Sequence, residues 1–185
     1  MESDTRQIAL GLRRGDVVVL EALVEQYQYR LVRYLIYLLG RRDWVDDMVQ
    51  ETWLRVLERG SSYDGHSRFE PWLFRVARNI AFDAIRKRRT LSLDSDDDDG
   101  RVRPSPASNE PSPYTLAART EDAERLAHSL QTLEPVYREV LVLRFQEDLT
   151  LQEISAIVGA PVSAVASRIY RGLATLRPQF EGEKA

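Results

Sequence analysis

One segment divides this chain before any helix or strand is considered. From about Leu91 to Thr115 it carries the acidic run Asp94, Asp96, Asp97, Asp98 and Asp99, then Pro104, Pro106, Pro111 and Pro113 among serines. Prolines at that density break helices, and clustered carboxylates repel one another. The segment therefore reads as a flexible acidic, Pro-rich linker, set at 91–118. It leaves an N-terminal domain, 1–90, and a C-terminal domain, 119–185, each small but large enough to fold alone.

Both domains read as helical. The apolar spacing is mostly three and four, with no convincing two-residue alternation, so an all-α fold is expected. In the first domain the spacing predicts a helix from Asp16 to Leu39 ended by Gly40, one from Asp43 to Leu57, and one from Pro71 to about Arg88. In the second it predicts helices from Glu121 to Leu133 and from Pro135 to Phe145, with two more closing the chain.

Composition excludes several functions. Cysteine is absent, which removes disulfides, thiolate metal sites and a cysteine nucleophile. The only histidines, His66 and His128, stand in no metal or triad spacing, and there is no Walker-type glycine loop. An enzyme is the weakest reading, with no catalytic residue, cofactor or metal expected. Met1 to Arg14 mixes charges and has no apolar core of a signal peptide, and the apolar stretch Tyr34 to Leu39 is too short to span a bilayer. A soluble, cytoplasmic protein without membrane insertion is expected.

The net charge of -3 argues against nucleic-acid binding only until its distribution is read. Between Arg68 and Arg89 seven basic residues face only Glu70 and Asp83, whereas Thr90 to Glu124 holds nine acidic residues and three basic ones. The basic block falls on the helix from Pro71. There Arg75, Asn79, Phe82, Asp83 and Arg86 share the face opposite the stripe Leu73, Val76, Ala77, Ile80, Ala84 and Ile85, and Arg78 borders that polar face. A basic face with an amide and nearby aromatics suits a nucleic-acid track. The helix before it carries Asp43, Asp46, Asp47, Glu51 and Glu58 against Arg55 alone, an opposite surface fit for a basic protein partner.

The last two helices form a helix-turn-helix. Thr150 and Glu153 make a capping box for a helix Leu151 to Val158, and Gly159 turns the chain. Pro161 opens a second helix, Val162 to about Leu176, expected to bury Val162, Val165, Ile169, Leu173 and Leu176. Its other face carries Ser163, Ser167, Arg168 and Arg171. A short helix, a glycine turn and a longer arginine-bearing helix form the layout that places a recognition helix in the major groove. Arginine there bonds guanine bidentately or clamps phosphate.

Three runs resemble one family in the right order. Asp46-Asp47-Met48-Val49-Gln50-Glu51-Thr52-Trp53-Leu54-Arg55-Val56 resembles the core-polymerase-binding helix of bacterial sigma factors. Phe69-Glu70-Pro71-Trp72-Leu73-Phe74-Arg75-Val76-Ala77-Arg78-Asn79-Ile80-Ala81-Phe82-Asp83 resembles their promoter-melting, minus-ten-reading segment. Leu133-Glu134-Pro135-Val136-Tyr137-Arg138-Glu139-Val140-Leu141, continuing to Arg171, resembles their minus-thirty-five-reading domain. The order and the missing extra domains are similar to the extracytoplasmic-function (ECF) group.

The resemblance implies a factor that binds core RNA polymerase and directs promoter recognition and transcription initiation. It implies that Asp47, Gln50, Glu51 and Trp53 form or support the polymerase-docking surface, and that Tyr63 to Glu70 border the loop for a flipped minus-ten base. Flipping costs a few kcal/mol of unstacking, which a pocket must offset. Arg68, Arg75, Arg78, Asn79 and Arg86 would then meet promoter DNA near the melted bases. Ser163, Ser167, Arg168 and Arg171 would read the minus-thirty-five element. Core RNA polymerase and promoter DNA are the implied partners, with an anti-sigma protein as a third. This chain has Ser155 where the family often has alanine, and Ser163-Ala164-Val165-Ala166-Ser167-Arg168 where it usually reads glycine, threonine, valine, lysine, serine, arginine. A free-standing helix-turn-helix regulator is the alternative, which leaves the acidic helix and the basic helix of the first domain unexplained; a helical adaptor that binds only protein is a third, in which Arg168 and Arg171 could be neutralised without loss of function.

Overall fold

The computed structural model describes residues 2–40, 43–93 and 121–181. The predicted linker lies outside them except for its first three residues, which continue a helix. Every regular element among the described residues is helical: α1 Glu2–Arg14, α2 Val17–Leu39, α3 Val45–Arg59, α4 Phe69–Leu93, α5 Glu121–Thr132, α6 Pro135–Leu141, α7 Leu151–Val158 and α8 Val162–Glu181.

Local chemistry sets most of these boundaries. Asp16 caps α2, its Oδ1 accepting from the backbone N–H of Val18 and Val19 at 3.0 and 3.4 Å. Leu23, Tyr27, Leu31, Tyr34, Leu35 and Leu38 recur at helical spacing and are buried, and Gly40 ends the helix in the left-handed conformation. α3 buries Val45, Val49, Thr52 and Val56. The buried Thr52 hydroxyl is satisfied by donating to Met48 O at 2.6 Å. α4 starts at Phe69, two residues before Pro71, because a proline in the first turn gives up an N–H that has no helical partner anyway.

Two elements depart from the expected pattern. Residues 2–14, read from sequence only as lacking a signal peptide, form a helix that buries Ala9 and Leu12 against the first domain. The helix from Pro135, expected to run to Phe145, gives way after Leu141 to a π-helical turn, Val142–Gln146. That wider turn leads into a tight corner in which Asp148 has a positive φ of 51°, uncommon for a residue other than glycine. Arg144 steadies the corner by donating to Leu149 O at 2.9 Å.

The two domains do not stay apart. Leu31, Tyr34 and Leu35 of α2 and Phe74, Ala77 and Ala81 of α4 lie in one apolar cluster with Val140 to Leu143, Leu149, Ile154, Ile157, Val165 and Leu176. A second cluster, Ala9, Leu12, Leu23, Tyr27, Val56, Tyr63, Phe69, Trp72 and Leu73, belongs to the first domain alone. Burial of apolar area, at roughly 25 cal/mol per Å², therefore holds the domains together as well as each one internally.

Candidate functional site

The helix-turn-helix forms as its residues dictate. Thr150 Oγ1 accepts from the Glu153 backbone N–H at 3.2 Å, while the Glu153 carboxylate accepts from the Thr150 backbone N–H at 2.7 Å. Gly159 takes a φ of 66° and its N–H reaches Ser155 O at 3.0 Å. Ser155 has a role that the sequence did not reveal: its hydroxyl donates to Ala160 O at 2.6 Å and pins the turn from inside.

On α8, Ser163, Ser167 and Arg171 are exposed and Arg168 is partly so. Neither arginine side chain bonds to another described residue, so both are available to a ligand. The buried line of α8 runs through Val165, Gly172 and Leu176, not along the whole predicted stripe. A Cβ on Gly172 would meet Leu141 Cδ1 at 2.9 Å. That close approach to α6 draws the contact line to one side and leaves Val162 and Leu173 exposed. Tyr170, not singled out from the sequence, is 75% exposed. It lies seven residues after Ser163 and three after Ser167, hence on the same face. Its signal was a large aromatic at the spacing of the polar face.

On α4, Arg75, Asn79, Phe82, Asp83 and Arg86 are all exposed on one face, as expected. Arg86 pairs with Asp83 at 2.8 Å. Arg88 and Arg89 have side chains outside the described set. Arg78 and Arg68 are engaged elsewhere. Arg78 Nε donates to Glu139 Oε1 of α6 at 2.7 Å, with its guanidinium 4.4 Å from the Phe82 ring centroid. Arg68 bonds Glu70 Oε1 and, across the domain boundary, Asp148 O, both at 3.3 Å. Three of the five expected promoter contacts thus share one open face; two face the other domain.

The loop before α4 rests on an aromatic cluster. The Tyr63 hydroxyl donates to Ser67 O at 2.5 Å, and the ring meets Phe69 and Trp72 at 5.3 and 5.7 Å. Burial, and then Glu70, pushes the Tyr27 and Tyr63 hydroxyls up to about 12, so both stay protonated donors. Burial alone would raise the Glu70 carboxyl, but a bond from its own backbone N–H and the charges of Arg68 and Arg30 outweigh it and hold the carboxyl below its ordinary value. Asp64, His66 and Ser67 remain exposed at the loop's tip.

A third surface is an apolar groove between α2 and α3. Leu20, Val24, Val49, Trp53, Leu54 and Leu57 line it, with Asp46, Gln50 and Gln28 at the rim. Trp53 is fixed in its wall by donating from Nε1 to Gln28 Oε1 at 2.6 Å. Leu54 and Leu57 are 47% and 52% exposed, so apolar area lies open to water. Of the expected docking residues, Gln50 and Trp53 line this groove and Asp47 is exposed beside it. Glu51 is partly buried and pairs with Arg55 at 2.8 Å. Apolar spacing alone places Leu57 on the same stripe as the buried Val49 and Val56, and only packing shows it and Leu54 open to water.

Two cationic helix faces, one within a helix-turn-helix, and an apolar groove with an acidic rim define a DNA-reading factor that also docks on a protein. Residues 23–90 match the Sigma-70 region 2 family and residues 123–176 match Sigma-70 region 4. The chain is 28% identical to the ECF RNA polymerase sigma factor SigW of Bacillus subtilis, over 97% of this chain and 98% of that one. It is 30% identical to the RNA polymerase sigma factor CarQ of Myxococcus xanthus, over 89% and 91%. Among solved structures, it is similar to CnrH, solved in complex with the cytosolic domain of CnrY, at a TM-score of 0.67 and 25% identity, covering 97% of this chain and 99% of that one. It also shares its fold with the sigma factor RpoE of Bartonella quintana, solved with the anti-sigma factor NepR, at a TM-score of 0.73 and 22% identity, covering 89% and 98%. The chain belongs to the ECF group of bacterial RNA polymerase sigma factors. Such a factor binds core RNA polymerase and directs promoter recognition and transcription initiation.

Proposed function

We propose that each step of initiation falls to one of the three surfaces. Core polymerase docks in the groove between α2 and α3, with Trp53, Leu54 and Leu57 as the apolar wall and Asp47, Gln50 and Glu51 as the polar and acidic border. Arg75, Asn79 and Arg86 on α4 meet the promoter near the melted minus-ten bases, joined by Arg68 and Arg78 once these are released. Ser163, Ser167, Arg168 and Arg171 on α8 read the minus-thirty-five element, with Tyr170 among them. In domain terms, residues 1–90 serve core binding, minus-ten recognition and melting, 91–118 connect, and 119–185 serve minus-thirty-five recognition.

The observation that carries this reading is the presence of an open, acid-rimmed apolar groove on the same chain as two cation-bearing helix faces. A free-standing helix-turn-helix regulator needs only α7 and α8 and leaves the groove without an occupant. On the proposed reading the chain works in the cytoplasm and does no chemistry of its own. Among the described residues no helix is long and apolar enough to cross a membrane. An anti-sigma protein is the further partner proposed, as a competitor for the groove. Purified core polymerase with this chain should yield promoter-specific transcripts from its own genome, and a gel shift should strengthen when core polymerase is added. Promoter binding that is indifferent to core polymerase would favour the free-standing regulator.

A further inference from the structure

The inner face of α1 lies on the segment that joins α3 to α4. Thr5, Ala9 and Leu12 recur at spacings of four and three and so share that face. Ala9 and Leu12 are 3% and 8% exposed. Leu12 sits against Gly60, where an added Cβ would come within 2.9 Å of the leucine Cβ. Ala9 and Thr5 sit against Gly65. A Cβ there would meet Ala9 Cβ and Thr5 O at 2.9 Å and Arg6 Cα at 3.2 Å. The φ of 74° at Gly65 would strain any other residue as well. The loop therefore rests on α1 through its own main chain, closer than a side chain would allow.

Both sides of this contact are fixed. On the α1 side, Gly11 lies against Val19 of α2, where a Cβ would fall 2.6 Å from Val19 Cγ2, and the Asp16 N–H donates to Gly11 O at 2.9 Å. On the loop side, the Tyr63 N–H donates to Gly60 O at 3.0 Å and its hydroxyl to Ser67 O at 2.5 Å. Tyr63, Phe69 and Trp72 share one buried cluster with Ala9 and Leu12. Only the tip stands clear: Asp64, His66 and Ser67 are exposed, while Gly65 among them is buried. Asp64 Oδ1 accepts from the His66 N–H at 2.9 Å and ties the two tip residues together. The tip is thus hung on α1 by its one buried residue.

A carboxylate, an imidazole and a hydroxyl offer the donors and acceptors that a base edge requires. Arginines of α4, which follows the loop directly, can hold the strand through phosphate, but phosphate carries no sequence information. Discrimination then falls to groups held within about 0.5 Å of their working geometry by residues that need not touch the ligand. We propose that α1 positions the minus-ten reading loop: Ala9 and the Thr5 carbonyl, seated on Gly65, set where Asp64 and His66 stand. The choice of base at a melted position therefore depends on a helix whose inner face meets no DNA. This rests on the reading of Tyr63 to Glu70 as the border of the minus-ten base pocket.

The test uses the full chain bound to core polymerase. Its ligands are short fluorescein-labelled single strands of the minus-ten element, with each of the four bases in turn at every melted position. Anisotropy gives the ratio of affinities for the best and the worst base. A9V adds two methyl groups where Gly65 leaves no space and should cut that ratio about tenfold, the worth of one well-aligned pair of base contacts. Affinity for the least favoured strand and for core polymerase should stay as in wild type, since neither depends on the tip. L10A removes a side chain from the outer face of α1, 49% exposed, and should leave the ratio unchanged. A folded A9V chain with the wild-type ratio overturns the proposal. So does one that loses affinity for core polymerase along with the ratio, which is a general loosening of the domain. If A9V does not fold, A9G decides: it clashes with nothing, removes the methyl group against Gly65 and must lower the ratio, and an unchanged ratio overturns the proposal. D64A/H66A separates the two failures. A wild-type ratio in that variant sinks the reading of the loop as a base pocket, whereas a ratio lost there and kept in A9V sinks the positioning role alone.

Discussion

Removing two leucine side chains from the groove between α2 and α3 should uncouple this chain from core polymerase without unfolding it. Full burial of a leucine is worth about 1.5–3 kcal/mol. Leu54 and Leu57 are 47% and 52% exposed, so about half of that gain remains for a docking partner to collect. This is roughly 1 kcal/mol each and ~2 kcal/mol together, or about 30-fold in affinity at ~1.4 kcal/mol per tenfold. The assay is titration of dye-labelled L54A/L57A against core polymerase, with helical content checked by circular dichroism. L126A on α5 removes a leucine of similar exposure, 41%, away from the groove and should bind polymerase as wild type does. A folded double variant that binds within about threefold of wild type would refute the assignment of the groove, since a desolvated leucine pair cannot be that silent.

Other outcomes follow from single contacts. R168A and R171A should each weaken promoter binding and flatten the plot of log affinity against log salt by about one unit if the lost contact is to phosphate; an unchanged slope would place that arginine on a base or off the DNA. S155A should lower stability by about 1 kcal/mol through loss of the bond to Ala160 O, and T150A by a similar amount through loss of the helix cap, both read from urea midpoints. Glu70 has a folded-state pKa below its ordinary 4.5, so its contribution is present above that value and is lost as pH falls through the lower folded one. E70Q should therefore lose less stability than wild type on acidification below about pH 4.5, measured by thermal melts across pH. Parallel acid limbs would show that Glu70 contributes nothing.

The sequence by itself determined what depends on neighbours three or four residues apart. The capping box of Thr150 and Glu153, the turn at Gly159, the stop at Gly40 and the polar face of α4 are written in helical spacing, and each formed as read. So was the all-helical fold, because nothing in the chain alternates with period two. Tertiary structure decided what depends on partners a hundred residues away. Arg78 and Asn79 are neighbours on one predicted basic helix. Only the packing of α7 against α4 and of α6 against α2 brings Glu139 to Arg78 and leaves Asn79 in water. The exposure of Leu54 and Leu57, the burial of Leu12 of α1 against the first domain, and the π-helical turn that aims Glu147 at two arginines are likewise products of packing. Periodicity fixes the face on which a side chain lies, but the free energy of burying a charge depends on what faces it. In this chain the facing groups come from the other side of an acidic linker.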